Sequence, residues 1–409
     1  MLGIRTRAKY IFFVLEEFLM SVQQFAIQLP TMTPGTSRSI QCLRFGRKGA
    51  RPKLYIQAAI HANEMPGTMA LHHLMPQLIE ADEKGLIHGE IIVVPTVNPI
   101  GQAQLVGNQH LGRYNLLSYE NYNRNWIDLA PAVAERIANK LGQDAEENIA
   151  LIRKTALAVL KALNPVNELR TLRVEIQKLS VDADFVLDLH CDIHAALHLF
   201  MAARDWPQGT ATKSGPAYEL AADLGSEATM YNEPYPSALT FSGVNGALWA
   251  RLAERFPEAS IPQACMSCTV EMRSQFDVSH AQGEQDAARL LRWIVRQGII
   301  KGEPGRLPRL KVPATPMQGM DVGYCPKDGF LAYHLEPGAK VKKGQAVCDV
   351  IDPANPHGPK ARTTIYAQTD GVLFAKRLNG SLAWPGLVLY RIAGEQRLAH
   401  RAGMSGLDD

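Results

Sequence analysis

Imidazole and carboxylate groups able to hold a cation and move a proton, and guanidinium groups able to bind an anion, are concentrated at a few places in this chain. In IHANEMPG, His61 and Glu64 stand three residues apart where an apolar run gives way to helical periodicity, so both side chains can face one side and bracket a single ion. His190 closes the apolar run DFVLDLH, where an unpaired polar ring is costly unless it meets a cleft or a ligand. Two nitrogens and a carboxylate leave a fourth position for water, which is what a hydrolytic zinc centre needs. Asp188, two residues before His190, shares its strand face and is placed to orient the ring from behind. Taken singly, each residue also has an ordinary role: His61 as a helix cap, Glu64 as a first-turn carboxylate favoured by the helix dipole, His190 as a satisfied core histidine.

Other groups extend the constellation. Glu271 ends the run QACMSCTVEM, where burial would raise its pKa and fit it to accept and return a proton; a salt bridge to Arg273 is the alternative. In the polar stretch NYNRNW, Asn123 and Arg124 offer amide donors and a bidentate guanidinium for a substrate carboxylate, or else form an Asn-rich surface turn. Arg113 in HLGRYN is a candidate for polarising a carbonyl and stabilising its oxyanion. His72, His73, His194 and His198 lie within helical or strand patterns without a matching carboxylate, so packing or surface roles suit them better. Cys265 and Cys268 form a C-x-x-C with no second pair and lie in a strand, which favours packing over zinc or redox chemistry.

The elements that must position these residues alternate. Strand signals at residues 54–60 and 91–96 and in DFVLDLH and QACMSCTVEM are interleaved with helical periodicity after His61, across residues 146–179 with a break near Asn164 and Pro165, and over residues 243–256 and 282–297. That order predicts an α/β fold with a parallel or mixed sheet, its site beyond the carboxyl ends of the strands. From about Pro304 the chain becomes Pro- and Gly-rich and then repeats short strand-turn-strand units, predicting a small all-β domain. The expected organisation is an N-terminal extension with first strands over residues 1–50, a catalytic α/β domain over 51–303, and a C-terminal β domain over 304–409.

Bulk properties narrow the partners. Apolar residues make up 46% and charged residues 20%, and 43 basic against 40 acidic residues form no basic stripe, which argues against nucleic acid. The apolar start of the chain is interrupted by Glu16 and Glu17 and is too short to span a membrane; with six scattered cysteines read as reduced thiols, a cytoplasmic location is expected. Met20 is an alternative start, and residues 10–18 could otherwise form a short amphipathic helix. A homo-oligomer is left open.

Together, and in this order, HANEMPG, NYNRNW, DLHCD and TVEM resemble the succinylglutamate desuccinylase and aspartoacylase family, relatives of the zinc carboxypeptidases. The likeness extends from about residue 50 to residue 395 and implies a carboxypeptidase-like domain whose site is shielded by a C-terminal β domain. It implies one zinc ion on His61, Glu64 and His190, a substrate carboxylate on Asn123 and Arg124, and Glu271 as general base and acid. The chemistry implied is hydrolysis of a small N-acyl amino acid to an amine and a carboxylate. Two departures bear on the substrate: Asn121 and Tyr122 replace the usual Asp-Leu, and Trp126 stands where carboxypeptidases commonly have an aromatic followed by Pro-Gly. A peptide-cleaving zinc carboxypeptidase and a non-catalytic binding protein on the same fold are the alternatives. The β domain also resembles biotinyl or lipoyl carriers, but TTIYAQTDGVLFAK places no lysine at a hairpin tip.

Overall fold

The computed structural model describes residues 22–206, 214–232, 239–355, 357–358 and 361–401. The N-terminal helix expected over residues 10–18 and the alternative start at Met20 lie outside the described residues. In chain order the first strands are β1 (Gln23–Gln28), β2 (Ser39–Gly46), β3 (Lys53–Ala58) and β4 (Glu90–Val94). A short ribbon follows, β5 (Leu105–Val106) and β6 (Gln109–His110). Next come β7 (Phe185–Asp192), β8 (His194–Ala195), β9 (His198–Ala202), β10 (Ala228–Asn232), β11 (Met266–Ser274) and β12 (Thr315–Pro316).

Nine of these form one mixed sheet in the order β1-β2-β4-β3-β7-β11-β9-β10-β12. Its centre, β4-β3-β7-β11, is parallel, and every residue of β3 and β4 is buried. Continuous apolar runs such as LYI and IIVV are what parallel strands covered on both faces require.

The connecting segments form α1 (Pro66–Glu83), the one-turn α2 (Pro99–Gln102), α3 (Ala130–Ile137), α4 (Ala145–Lys161), α5 (Glu168–Ser180), α6 (Pro216–Leu224), α7 (Phe241–Arg255) and α8 (His280–Arg296). Helices α1, α6 and α8 cover one face of the sheet, and α3, α4, α5 and α7 cover the other. The expected break near Asn164 and Pro165 separates α4 from α5. Asp144 caps α4 by accepting from the amides of Glu146 and Glu147, and Asn167 caps α5 by accepting from Arg170.

Strand alternation decides which side chains reach the site. Leu54, Ile56 and Ala58 of β3 and Leu187 and Leu189 of β7 pack toward α1 and α8. Tyr55, Gln57, Asp188 and His190 therefore face the opposite side, and on β11 Thr269 and Glu271 join them, because Cys268, Val270 and Met272 pack with the first set.

After β12 the chain builds β13 (Met320–Tyr324), β14 (Gly329–Tyr333), β15 (Lys340–Val341), β16 (Ala346–Ile351), β17 (Arg362–Tyr366), β18 (Gly371–Lys376), β19 (Leu382–Ala383) and β20 (Val388–Ala393). They form two antiparallel sheets, β13-β20-β18-β15 and β17-β16-β14-β19, around a core that includes Leu331, Val347, Leu373 and Ile392. Strand pairing joins this part to the α/β part. Thr315 and Pro316 of β12 pair with β10, and β18 pairs with β8, with Ala375 opposite Ala195 and Lys376 opposite His194. The fold is thus mixed α/β with small antiparallel sheets at its C-terminal end. All six cysteines are free and buried, and no helix among the described residues is long and apolar enough to cross a membrane.

Candidate metal and catalytic site

The site lies at the carboxyl ends of β3, β7 and β11, with His61 and Glu64 just beyond β3 and with His190 and Glu271 inside β7 and β11. The chain leaves β3 through Ala59, a non-glycine residue in the left-handed region at φ 59°, and turns His61 and Glu64 inward before α1 begins at Pro66. Helix α1 starts hard against β7, since a Cβ on Gly67 would lie 2.6 Å from Leu189 Cβ. That contact fixes Glu64 beside His190, from which it is remote in sequence.

His61, Glu64 and His190 each offer one ligand atom, and these atoms all lie within 4.8 Å of one another; the three residues are 4%, 3% and 3% exposed. Glu64 sits between the rings, its Oε1 2.9 Å from His61 Nδ1 and its Oε2 2.8 Å from His190 Nδ1. The other ring nitrogens face oxygen acceptors as well: His61 Nε2 is 2.8 Å from Asn121 Oδ1, and His190 Nε2 is 2.9 Å from Asp188 Oδ2.

A neutral imidazole carries one proton, so with Nε2–H donated outward each ring turns an Nδ1 lone pair toward Glu64. A cation is then required between the rings and the carboxylate, either a proton or a metal ion. Burial works against charge on His190, but Asp188 and Glu64 outweigh it and raise its pKa well above the usual value. At Glu64 burial is likewise outweighed, here by His61 and His190, and its pKa is lowered. Burial lowers the pKa of His61. Two imidazoles, an ionised carboxylate and outer-sphere acceptors on both rings fit a divalent metal ion.

A layer of buried polar groups holds these residues. Gln57 Nε2 donates to Asp188 Oδ1 at 2.8 Å, and Tyr55 Oη donates to Gln57 Oε1 at 2.8 Å. Asn123 Oδ1 accepts from Trp126 Nε1 at 3.1 Å and from the Phe241 amide at 2.9 Å. Its Nδ2 lies 3.1 Å from His190 Nε2 and 3.4 Å from Asp188 Oδ2; with Nε2–H directed at Asp188, the acceptor for Nδ2 is that carboxylate. In this conformation Asn123 braces His190. Its neighbour Arg124 folds back so that Nη1 donates to the Asn123 carbonyl at 3.0 Å. Arg113, with a side chain 40% exposed, brings Nη1 to 3.7 Å from Glu64 Oε1, which places a cation at the rim.

Glu271 stands beside His190 in the parallel register of β7 and β11. Its Oε2 is shut off from solvent and has no hydrogen-bond partner. Burial pushes its pKa up to about 8; His190 and Arg113 pull it down, while Glu64 and Asp192 add to the rise. The alternative pairing with Arg273 is not formed. The register slips between Glu271 and Ser274, Arg273 takes φ 72°, and its guanidinium goes to Asp286 instead. A bulge re-aiming a side chain next to a cleft is a common device.

Sequence reasoning passed over Asn121 as a contact of His61, and Gln57 and Tyr55 as supports of Asp188. Gln57 had left a signal, a polar residue inside an otherwise apolar run. It also gave no hint that Arg391 of β20 would reach Asp192 at 3.5 Å, just beyond His190. His198 is buried, bonds the Ala196 carbonyl through Nδ1 and packs on Phe374, a packing role.

Residues 50–152 match the succinylglutamate desuccinylase/aspartoacylase catalytic domain. No curated protein matches the sequence. Among solved structures, a protein assigned to the succinylglutamate desuccinylase/aspartoacylase group from Shewanella frigidimarina NCIMB 400 superposes with a TM-score of 0.79 at 20% identity, covering 92% of this chain and 98% of its own. A succinylglutamate desuccinylase/aspartoacylase family protein from Shewanella amazonensis SB2B gives 0.77 at 22% identity, covering 91% and 98%. The product-bound ectoine utilization protein EutE from Ruegeria pomeroyi gives 0.59 at 17% identity, covering 91% and 95%. The resemblance to succinylglutamate desuccinylases and aspartoacylases carried by four short motifs is therefore met twice over, by a catalytic-domain match across residues 50–152 and by a fold shared along nearly the whole chain.

Proposed function

We propose that this protein is a zinc-dependent amidohydrolase that cleaves the amide bond of a small N-acyl amino acid. One observation carries the reading: a buried His61–Glu64–His190 cluster with the donor set of a metal centre stands next to Glu271, a carboxylate with an unpartnered, desolvated oxygen. His61, Glu64 and His190 would hold one zinc ion, which would supply Lewis acidity to a water and to the acyl carbonyl.

The protein's own residues do the rest. Glu271 takes a proton from the attacking water and delivers it to the departing amine, a task suited to a pKa near neutrality. Arg113, at the exposed rim beside Glu64, stabilises the charge that develops on the carbonyl oxygen. Arg124, backed by Asn123, holds the substrate carboxylate, while Asn123 also keeps His190 in place. Pairing of β18 with β8, immediately after His190, sets the C-terminal β structure against the site, and this favours small substrates over peptide chains.

The test is the metal content of the purified protein together with hydrolysis of a panel of N-acyl amino acids and short peptides. About one zinc per chain with turnover of acyl amino acids is expected. Turnover confined to peptides would replace the reading with a carboxypeptidase, and absence of both metal and turnover would leave a binding protein.

A further inference from the structure

Helix α1 follows Glu64, and helix α8 follows the strand that ends beyond Glu271, so these two helices are the supports of the site's two carboxylates. They pack so closely at Gly283 that a Cβ there would lie 2.7 Å from His73 Cδ2 and 2.7 Å from Met69 Cγ. The same approach brings two imidazoles together across the helix pair. His73 Nε2 on α1 is 3.1 Å from His280 Nδ1 on α8, the rings perpendicular at 90° with centroids 5.3 Å apart.

Two nitrogens bound to one ion at about 2.0–2.1 Å are about 2.8–3.4 Å apart for ligand angles from 90° to tetrahedral. The observed separation falls in that range without movement of either helix. The remaining ring nitrogen of His73, Nδ1, faces Glu284 Oε1 at 4.0 Å. Glu284 lies one turn along α8 from His280 and is largely exposed, so it can take the Nδ1–H and leave Nε2 with its lone pair. A carboxylate on the outer nitrogen of a ligating histidine is the usual support of such a site.

We propose that His73 and His280 form a second divalent-cation site, for an imidazole-preferring ion such as zinc or nickel, which staples α1 to α8. On binding, His73 holds its proton on Nδ1 toward Glu284 and offers the Nε2 lone pair, His280 holds its proton on Nε2 and offers the Nδ1 lone pair, and water fills the other coordination positions. Oxygen-preferring ions such as magnesium are not bound here. The site shares no residue with the His61–Glu64–His190 cluster.

Chelator-treated protein titrated with Ni²⁺ in a calorimeter tests this, comparing wild type with His280→Ala, Glu284→Gln and His61→Ala. His280 is exposed in the first turn of α8, so its removal leaves the fold intact. Wild type is expected to bind one more equivalent than His280→Ala. His61→Ala should keep the equivalent that depends on His280, and Glu284→Gln should weaken that equivalent about tenfold or more. Nickel should raise the Tm of His61→Ala but not of His61→Ala/His280→Ala. Equal stoichiometry and equal Tm gain with and without His280 would overturn the proposal. A normal equivalent at His280 with none at His61 would uphold it while sinking the first metal site.

Discussion

Glu64 and Glu271 are two carboxylates of one site placed in opposite surroundings. Glu64 is enclosed by two imidazoles and also accepts from the Cys191 amide at 3.3 Å; its charge is fully answered and its pKa lowered. Glu271 is desolvated at the end of β11 with one oxygen unanswered, and its pKa is pushed up to about 8. The rigid, satisfied carboxylate suits a ligand that must stay ionised, and the unsatisfied one suits a group that must gain and lose a proton. Environment, rather than residue type, separates the two roles.

Breaking the ligand side should have the largest effect. Glu64→Gln removes the anion between the rings, and no stoichiometric metal should survive dialysis, with hydrolysis falling to background. Metal analysis alongside a turnover assay checks this, and retained metal would remove Glu64 from the ligand set. Glu271→Gln should leave metal content unchanged and lower kcat by about 10²–10⁴-fold. A loss of metal in that variant would collapse the distinction drawn between the two carboxylates. Asp188→Asn keeps the shape but weakens the acceptor for His190 Nε2–H. Metal affinity measured by chelator competition should fall about 10–100-fold.

Much of this arrangement could be read before folding, and the reasons are local. The apolar runs of β3, β4, β7 and β11 announce a buried parallel sheet, and alternation along β7 already puts Asp188 and His190 on one face. Gly67, which lets α1 meet Leu189, is part of the quoted HANEMPG motif, although its role there is visible only in three dimensions. Other features rest on pairings that no window of sequence contains. Asn121 meets His61 because the loop from residue 107 folds over it, with the Ala62 amide bonded to the Gly112 carbonyl at 2.9 Å. Arg391 meets Asp192 only because β18 joins β8. His73 read as a packing residue for the same reason: its partner His280 belongs to a helix distant in the chain.

Asp205 supplies a control for the claim that surroundings set the behaviour of Glu271. Burial pushes its pKa up to about 8 as well; its contacts are the Ser267 amide, 3.4 Å from Oδ2, and the Gln263 side chain, which both pull the other way. An unfolded aspartate titrates near 3.9, so between about pH 4 and pH 8 the folded chain holds a proton that the unfolded chain has released. The stability contributed by the neutral form is complete below about pH 4 and is lost as pH rises through about 8. Asp205→Asn keeps an acceptor for the Ser267 amide and has no charge to desolvate. Its Tm should match wild type at pH 4 and exceed it by several degrees, on the order of 5 °C, at pH 8. Catalysis should be unchanged at both. A variant whose Tm tracked wild type across this range would show that burial alone does not raise a carboxyl pKa in this protein. The elevation at Glu271 would then have to come from Glu64 and Asp192, and adding metal to the site would be the next variable to titrate.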